Sequence, residues 1–262
     1  MQVNKDLARR RFSRAARSYN MWSRPQQRMA DGLVAMLDPV ITPESILELG
    51  CGTGLLTKRL QRAYPNTLIT ALDIAPEMID ECRRRSNGKG RVEYLVADAE
   101  TFSLEQRFDL IASSSCFQWL TDLDGALRRC AEAMAPSGSL AFAAPALGTL
   151  SELWASYSAV APDKRAGHSL PALAGYLSSV VGAGFAIEAA KEETHSYTCD
   201  SPEYVLQHLR GIGATRASLG AGPGLNRSEL QKMIQYYRSN FSERDGGVKC
   251  TYKPVYVLAR LY

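Results

Sequence analysis

The stretch ILELGCGTGLLT, residues 46–57, sets three glycines, Gly50, Gly52 and Gly54, directly behind a short apolar run. Such a run, followed by residues with helical periodicity, reads as a buried strand turning into a helix. Glycine at the joint permits positive φ and lets main chain come within van der Waals contact of a ligand, which the amides of the following helix then face. A dinucleotide fingerprint, GxGxxG, would carry its third glycine one place later. Here the pattern is GxGxG, preceded by the acid Glu48.

Outward from that turn, strands and helices alternate. SILELG is followed by a helix to Tyr64; TLITALDI by a helix from Pro76 to about Arg85; then VEYLVAD; FDLIASSS by a helix from Asp122 to Met134; and SLAFAAP. Two further strands, FAIEAAKEETHSYT and KCTYKPVYVLARLY, complete seven. The expected fold class is α/β, a doubly wound, mostly parallel, Rossmann-like seven-stranded sheet with its ligand at the carboxyl ends of the strands. Residues 1–40 read as a basic helical arm or lid, broken near Pro25, and 41–147 as the ligand-binding core. Residues 148–242 read as a helical cap lending one core strand (about 185–198), and 243–262 as the closing strand. Within the cap, helices are expected from Pro202 to about Thr215 and from Arg227 to about Phe241, joined by the glycine-rich loop SLGAGPGLN.

Charge is distributed unevenly. The chain of 262 residues is +4 overall, yet residues 1–28 hold Lys5, Arg9, Arg10, Arg11, Arg14, Arg17, Arg24 and Arg28 against Asp6 alone. Such an arm is a solvated helix face, an organellar transit segment or a docking surface for an acidic partner; Phe12, Ala15, Ala16 and Tyr19 form an apolar stripe that favours a packed segment. No apolar run has the length of a membrane span, so a cytoplasmic location and no membrane partner are expected. Six scattered cysteines without a CxxC pair, and His168, His195 and His208 without a motif, give neither a disulfide framework nor a metal site. An excess charge confined to one terminus, with no base-reading module, weighs against a nucleic-acid partner.

The turn E-L-G-C-G-T-G resembles motif I of the class I S-adenosylmethionine-dependent methyltransferases, and further matches fall at successive strand ends. The resemblance implies S-adenosyl-L-methionine as cofactor, held by Glu48, Gly50, Cys51, Gly52 and Gly54. Asp73 in TALDIAPEMI would take both ribose hydroxyls, although an acid three residues before Pro76 also suits a helix cap. Ile74 and Met78 would flank adenine, and Asp98, with Ala99 beside it, would read the adenine amino group. Ser114, Ser115 and Phe117, beyond the fourth strand, would border the methionine portion. Where base-methylating members carry an Asn/Asp-Pro-Pro-Tyr/Phe motif this chain has Ser113-Ser114-Ser115-Cys116, which argues against base amines as acceptors.

The segments VNKDLARRRFSRAARSYN, CFQWL, EYVLQHLRGIGAT and TYKPVYVLAR resemble, over nearly the whole chain, the malonyl-acyl-carrier-protein methyltransferases of biotin synthesis. That resemblance implies an acidic acyl carrier protein as partner and methylation of the free malonyl carboxylate, whether on the carrier or on coenzyme A; a monomer is expected. A carboxylate is already ionised at neutral pH, so no general base is expected. Arg210, inside the apolar helix VLQHLRGIGA, is the candidate to hold that carboxylate in a buried setting. Tyr19, Gln118 and Trp119 are further acceptor-site candidates, with Tyr252 and Lys253 behind them; Tyr19 and Trp119 also read as core residues. A small free polycarboxylate such as trans-aconitate, and a nucleic-acid-binding regulator retaining the fold, are the alternative readings.

Overall fold

The structure is a computed structural model that describes residues 4–37, 42–86, 91–164, 170–214, 224–244 and 246–262. Its centre is a seven-stranded sheet in the order β3-β2-β1-β4-β5-β9-β6. The strands are β1 Ser45–Leu49, β2 Leu68–Asp73, β3 Val92–Val96, β4 Phe108–Ser114, β5 Met134–Pro145, β6 Phe185–Glu192 and β9 Pro254–Leu261. β1 to β5 run parallel, and β9 lies antiparallel between β5 and β6. β1 has β2 on one side and β4 on the other. Chain order reverses there, which opens a crevice at the carboxyl ends of both strands.

Helices cover both faces, so the central strands are apolar throughout rather than alternating. Leu47, Leu49, Phe142 and Val257 pack on one face with Tyr176 of α8, Leu173–Gly182. Ile46, Leu110, Ala141 and Tyr256 pack on the other, against Leu33 of α3, Arg24–Leu37, and Leu60 of α4, Leu55–Ala63. The remaining core helices are α5, Pro76–Ser86, and α6, Leu123–Ala133.

The N-terminal arm forms three helices: α1 Lys5–Ala15, α2 Tyr19–Trp22 and α3. The Asn4 side chain caps α1 by accepting from the amide of Leu7 at 2.9 Å. The break expected near Pro25 falls at Ser23, between α2 and α3, and Pro25 itself occupies the first turn of α3, where its missing N–H has no intrahelical partner to lose. Two readings need correcting. The strand placed at about 185–198 is two strands, since after β6 the chain leaves the main sheet and His195–Cys199, β7, pairs with Val248–Tyr252, β8. The closing strand is likewise split at Lys253 into β8 and β9. Both breaks let a two-stranded ribbon carry the cap, whose own core joins Leu153 and Tyr157 of α7, Ser151–Val160, to Val205 and Leu209 of α9, Pro202–Gly211, and to Met233 and Tyr237 of α10, Arg227–Phe241. Most of the loop SLGAGPGLN, residues 218–223, lies outside the described residues. Among the described residues no helix is long and apolar enough to cross a membrane.

Candidate active site

The glycine turn is built by three left-handed residues, with φ of +69° at Gly50, +53° at Gly52 and +85° at Gly54. At Gly50 a Cβ would also lie 2.5 Å from the Cys116 thiol. At Gly52 it would meet no protein atom within 4 Å, so the left-handed φ and the bare approach to the cavity, not packing, call for glycine there. Asp73 ends β2 and fastens the turn: its Oδ2 accepts from the amide of Gly52 at 2.9 Å, while its Oδ1 accepts from the amide of Ala75 at 2.9 Å. Ala75 precedes α5, so this second bond closes the turn ahead of the helix and does not cap a helical amide. Burial raises the Asp73 carboxyl to about 6, with the backbone amides of Ala75 and Gly52 opposing the shift.

Around this turn lies a cavity of about 920 Å³, counting its open mouth. Its floor holds Glu48, Gly50, Cys51 and Gly52 from the turn, Asp73, Ile74 and Met78 from the end of β2 and α5, Asp98 and Ala99 beyond β3, and Ser114 and Ser115 at the end of β4. Its cover comes from the arm, through Lys5, Ala8, Phe12, Tyr19 and Gln26, with Trp119 completing the wall. The arm is fastened by Ser13 donating to Glu77, by Thr53 donating to Asn20 and by the Phe12 ring meeting Trp119 edge-on at 5.2 Å.

Three buried oxygens on that wall, Glu48 Oε2, Gln26 Oε1 and Ser114 Oγ, have no hydrogen-bond partner among the described residues. An unpaired buried acceptor costs about 1–3 kcal/mol, so three around one cavity mark a ligand that brings donors or positive charge. Glu48 is 1% exposed, and burial raises its carboxyl to about 7 against the opposing hydrogen bonds from Thr57. Such acceptors could take the ammonium and sulfonium of a methionine-derived donor, the apolar side chains of Ile74, Met78 and Phe12 could cover its adenine, and Asp73 could take its ribose hydroxyls.

Residues 46–138 match the family described as methyltransferase domain. The malonyl-[acyl-carrier protein] O-methyltransferase of Geobacter sulfurreducens is 34% identical over 97% of this chain and 98% of its own length. That of Anoxybacillus flavithermus is 33% identical over 97% of both. The chain belongs to the malonyl-[acyl-carrier protein] O-methyltransferase family. Among solved structures, a Bacillus halodurans methyltransferase covers 88% of this chain and 97% of its own (TM-score 0.63, 15% identity). The N-methyltransferase NodS of Bradyrhizobium japonicum, with S-adenosylhomocysteine, covers 93% and 98% (TM-score 0.54, 14% identity). Both share the class I fold, and S-adenosylmethionine is the methyl donor of this methyltransferase.

Within the methyltransferase the sequence-derived residues separate into two groups. The donor residues named above converge on the cavity, together with Tyr19 and Trp119. Gly54 does not line it; a Cβ there would meet the Cys82 thiol at 2.8 Å, so this glycine serves the packing of α4 on α5. Phe117 is also absent from the wall: the single turn Phe117–Trp119 points it into the core, 4.8 Å from Phe142, and swings Trp119 outward. Gln118 instead bridges back, donating its side-chain amide to the Ser115 carbonyl at 2.9 Å.

Arg210 lacks the buried setting expected of it. Val205, His208, Leu209 and Ile212 turn inward on α9, and Arg210 falls on the exposed side. Tyr252 is enclosed in the cap core, its hydroxyl 2.7 Å from His208 Nε2, and Lys253 sits at the strand break beside Glu192. Burial lowers His208 to about 4, so this histidine is a neutral structural link. Sequence reading missed Gln26, Phe12, Ala8 and Lys5 as cavity residues. For Gln26 a signal existed, namely a polar residue on the otherwise apolar inner face of α3.

Proposed function

We propose that this methyltransferase esterifies the free carboxylate of a malonyl thioester carried on acyl carrier protein, the masking step that opens biotin synthesis. One observation carries the reading: similarity to relatives of that name runs through 97% of the chain, arm and cap included, whereas the methyltransferase-domain match ends at residue 138. When bound, the donor supplies a methyl group on a sulfonium, so a carboxylate oxygen gains the methyl, the electron pair of the carbon–sulfur bond stays on sulfur and no proton moves. What remains for the chain is alignment and exclusion of water. Phe12 and Trp119 shield the cavity, and Tyr19, whose phenol burial and the nearby Asp73 push far above neutral pH, stays an O–H donor to an acceptor carboxylate.

Carrier docking falls to the outer face of α1. Arg10 and Arg14 are exposed on α1, Arg17 is exposed in the turn that follows it, and none of the three has an ion pair among the described residues. Incubating the protein with labelled donor and malonyl-carrier should give a base-labile methyl ester. Transfer to free dicarboxylates but not to malonyl-carrier or malonyl-coenzyme A would place the acceptor among small polycarboxylates instead. Reversing Arg10, Arg14 and Arg17 to Glu should lower kcat/KM for malonyl-carrier at least about tenfold at low salt, with the deficit shrinking as ionic strength rises. Transfer to malonyl-coenzyme A, which brings no acidic protein surface, should change less than about twofold. Equal losses on both acceptors would remove the arm from docking.

A further inference from the structure

Lys5, at the start of α1, crosses to the far end of the donor cavity. Its Nζ lies 2.6 Å from Asp98 Oδ2 and also contacts Glu100 Oε2. Glu100 is fixed independently: its Oε1 accepts from the Thr121 amide at 2.6 Å, the Thr121 hydroxyl at 2.8 Å and the Asp122 amide at 2.5 Å, at the start of α6. Among the described residues Asp98 has one other side-chain anchor, the amide of Glu100, which donates to its Oδ1 at 2.9 Å. One lid ammonium therefore stands between two carboxylates, of which Glu100 is immobilised and Asp98 remains 22% exposed at the cavity wall.

We infer that Lys5 is a positioning residue for recognition of the donor's base, holding the Asp98 carboxylate where its remaining lone pairs meet a purine 6-amino group. The inference rests on Asp98 being the adenine contact. Without the ammonium, Asp98 faces the negative charge of Glu100 uncompensated, and only Asp98 is free to swing away. A 6-amino group donates to a carboxylate, whereas a 6-oxo group presents an acceptor and is repelled. Discrimination between the two bases thus reports the orientation of Asp98, and the lid takes part in choosing the donor.

The test is calorimetric titration of the full chain with S-adenosylhomocysteine and S-inosylhomocysteine, for the wild type and for Lys5→Met, Lys5→Arg and Asp98→Ala. The wild type should prefer the adenosyl compound by about 30-fold. Lys5→Met should bind it about tenfold more weakly while inosyl binding moves less than about threefold, and Lys5→Arg should restore most of the preference. Equal weakening of both compounds in Lys5→Met would make Lys5 a strut of the lid and overturn the inference. A larger loss for the inosyl compound would put the ammonium on the base itself and overturn it as well. Should Asp98→Ala keep the wild-type preference, the adenine reading of Asp98 fails; should Asp98→Ala lose it while Lys5→Met keeps it, Asp98 stands and the role of Lys5 alone falls.

Discussion

Replacing Asp73 by alanine is expected to weaken binding of S-adenosylmethionine by about 100-fold or more, with the protein still folded. The carboxylate does two things at once. It takes the amides of Gly52 and Ala75, which fixes the distance between the glycine turn and the end of β2, and it faces the cavity with lone pairs left for a diol. Hydrogen bonds to a charged acceptor contribute about 1.5–3 kcal/mol each, so loss of a bidentate sugar contact alone accounts for about two orders of magnitude. Freeing the Gly52 amide then loosens a turn already held at φ +53°, which adds to the loss. Stability should change far less, because Asp73 is costly to bury, as its carboxyl at about 6 shows. Calorimetric titration with donor, alongside circular dichroism to verify folding, measures both effects. An affinity within about threefold of the wild type would remove Asp73 from the site and with it the account of the turn.

The sheet half of the site was legible because its requirements are local. A glycine at positive φ, an acid closing an apolar run and a proline in the next helix's first turn each declare a strand end, and strand ends in a doubly wound sheet converge on one crevice. The same reasoning stops at the lid and cap, where periodicity tells that a face is apolar without telling what it covers. Phe117 and Trp119 stand two residues apart, yet one short 3-10 turn sends the first to Phe142 and the second to the cavity. Tyr252 follows the inward alternation of Val248 and Cys250, but only the pairing of β8 with β7, remote in sequence, makes that inside the cap rather than the donor cavity. Arg210 is a different case. The spacing of Val205, Leu209 and Ile212 already marks the inner stripe of α9 and leaves position 210 outside it, so the helix itself carried the correction. Lys5 was visible only as one of eight basic residues in the arm; its distinction lies in reaching Asp98, 93 residues away.

Glu48 is expected to trade stability against binding as pH changes, and Glu48→Gln should separate the two. In the folded protein burial, the first cause, raises its carboxyl to about 7 from 4.5 when unperturbed. Between about pH 4.5 and 7 the folded state therefore holds a proton that the unfolded chain has released, so this group's contribution to stability falls as pH rises through that window. The full shift corresponds to about 3 kcal/mol, of which an amide, itself buried, recovers about 1–3 kcal/mol. Without donor, Glu48→Gln should accordingly melt several degrees above the wild type at pH 8 and within about a degree of it at pH 5. Binding runs the other way. The ionised carboxylate, with Oε2 unpartnered, is the complement of a cationic donor, so the wild type should bind S-adenosylmethionine more tightly from pH 6 to 8 and release protons on binding near neutrality, visible as a dependence of the binding enthalpy on buffer ionisation. Glu48→Gln should lose that proton release and bind about tenfold to 100-fold more weakly at pH 8, with the gap closing toward pH 5.5. A variant that melts below the wild type by the same margin at pH 5 and pH 8 would show the carboxylate to be an anchor of the turn through Thr57, and not a charge kept unpaired for the donor.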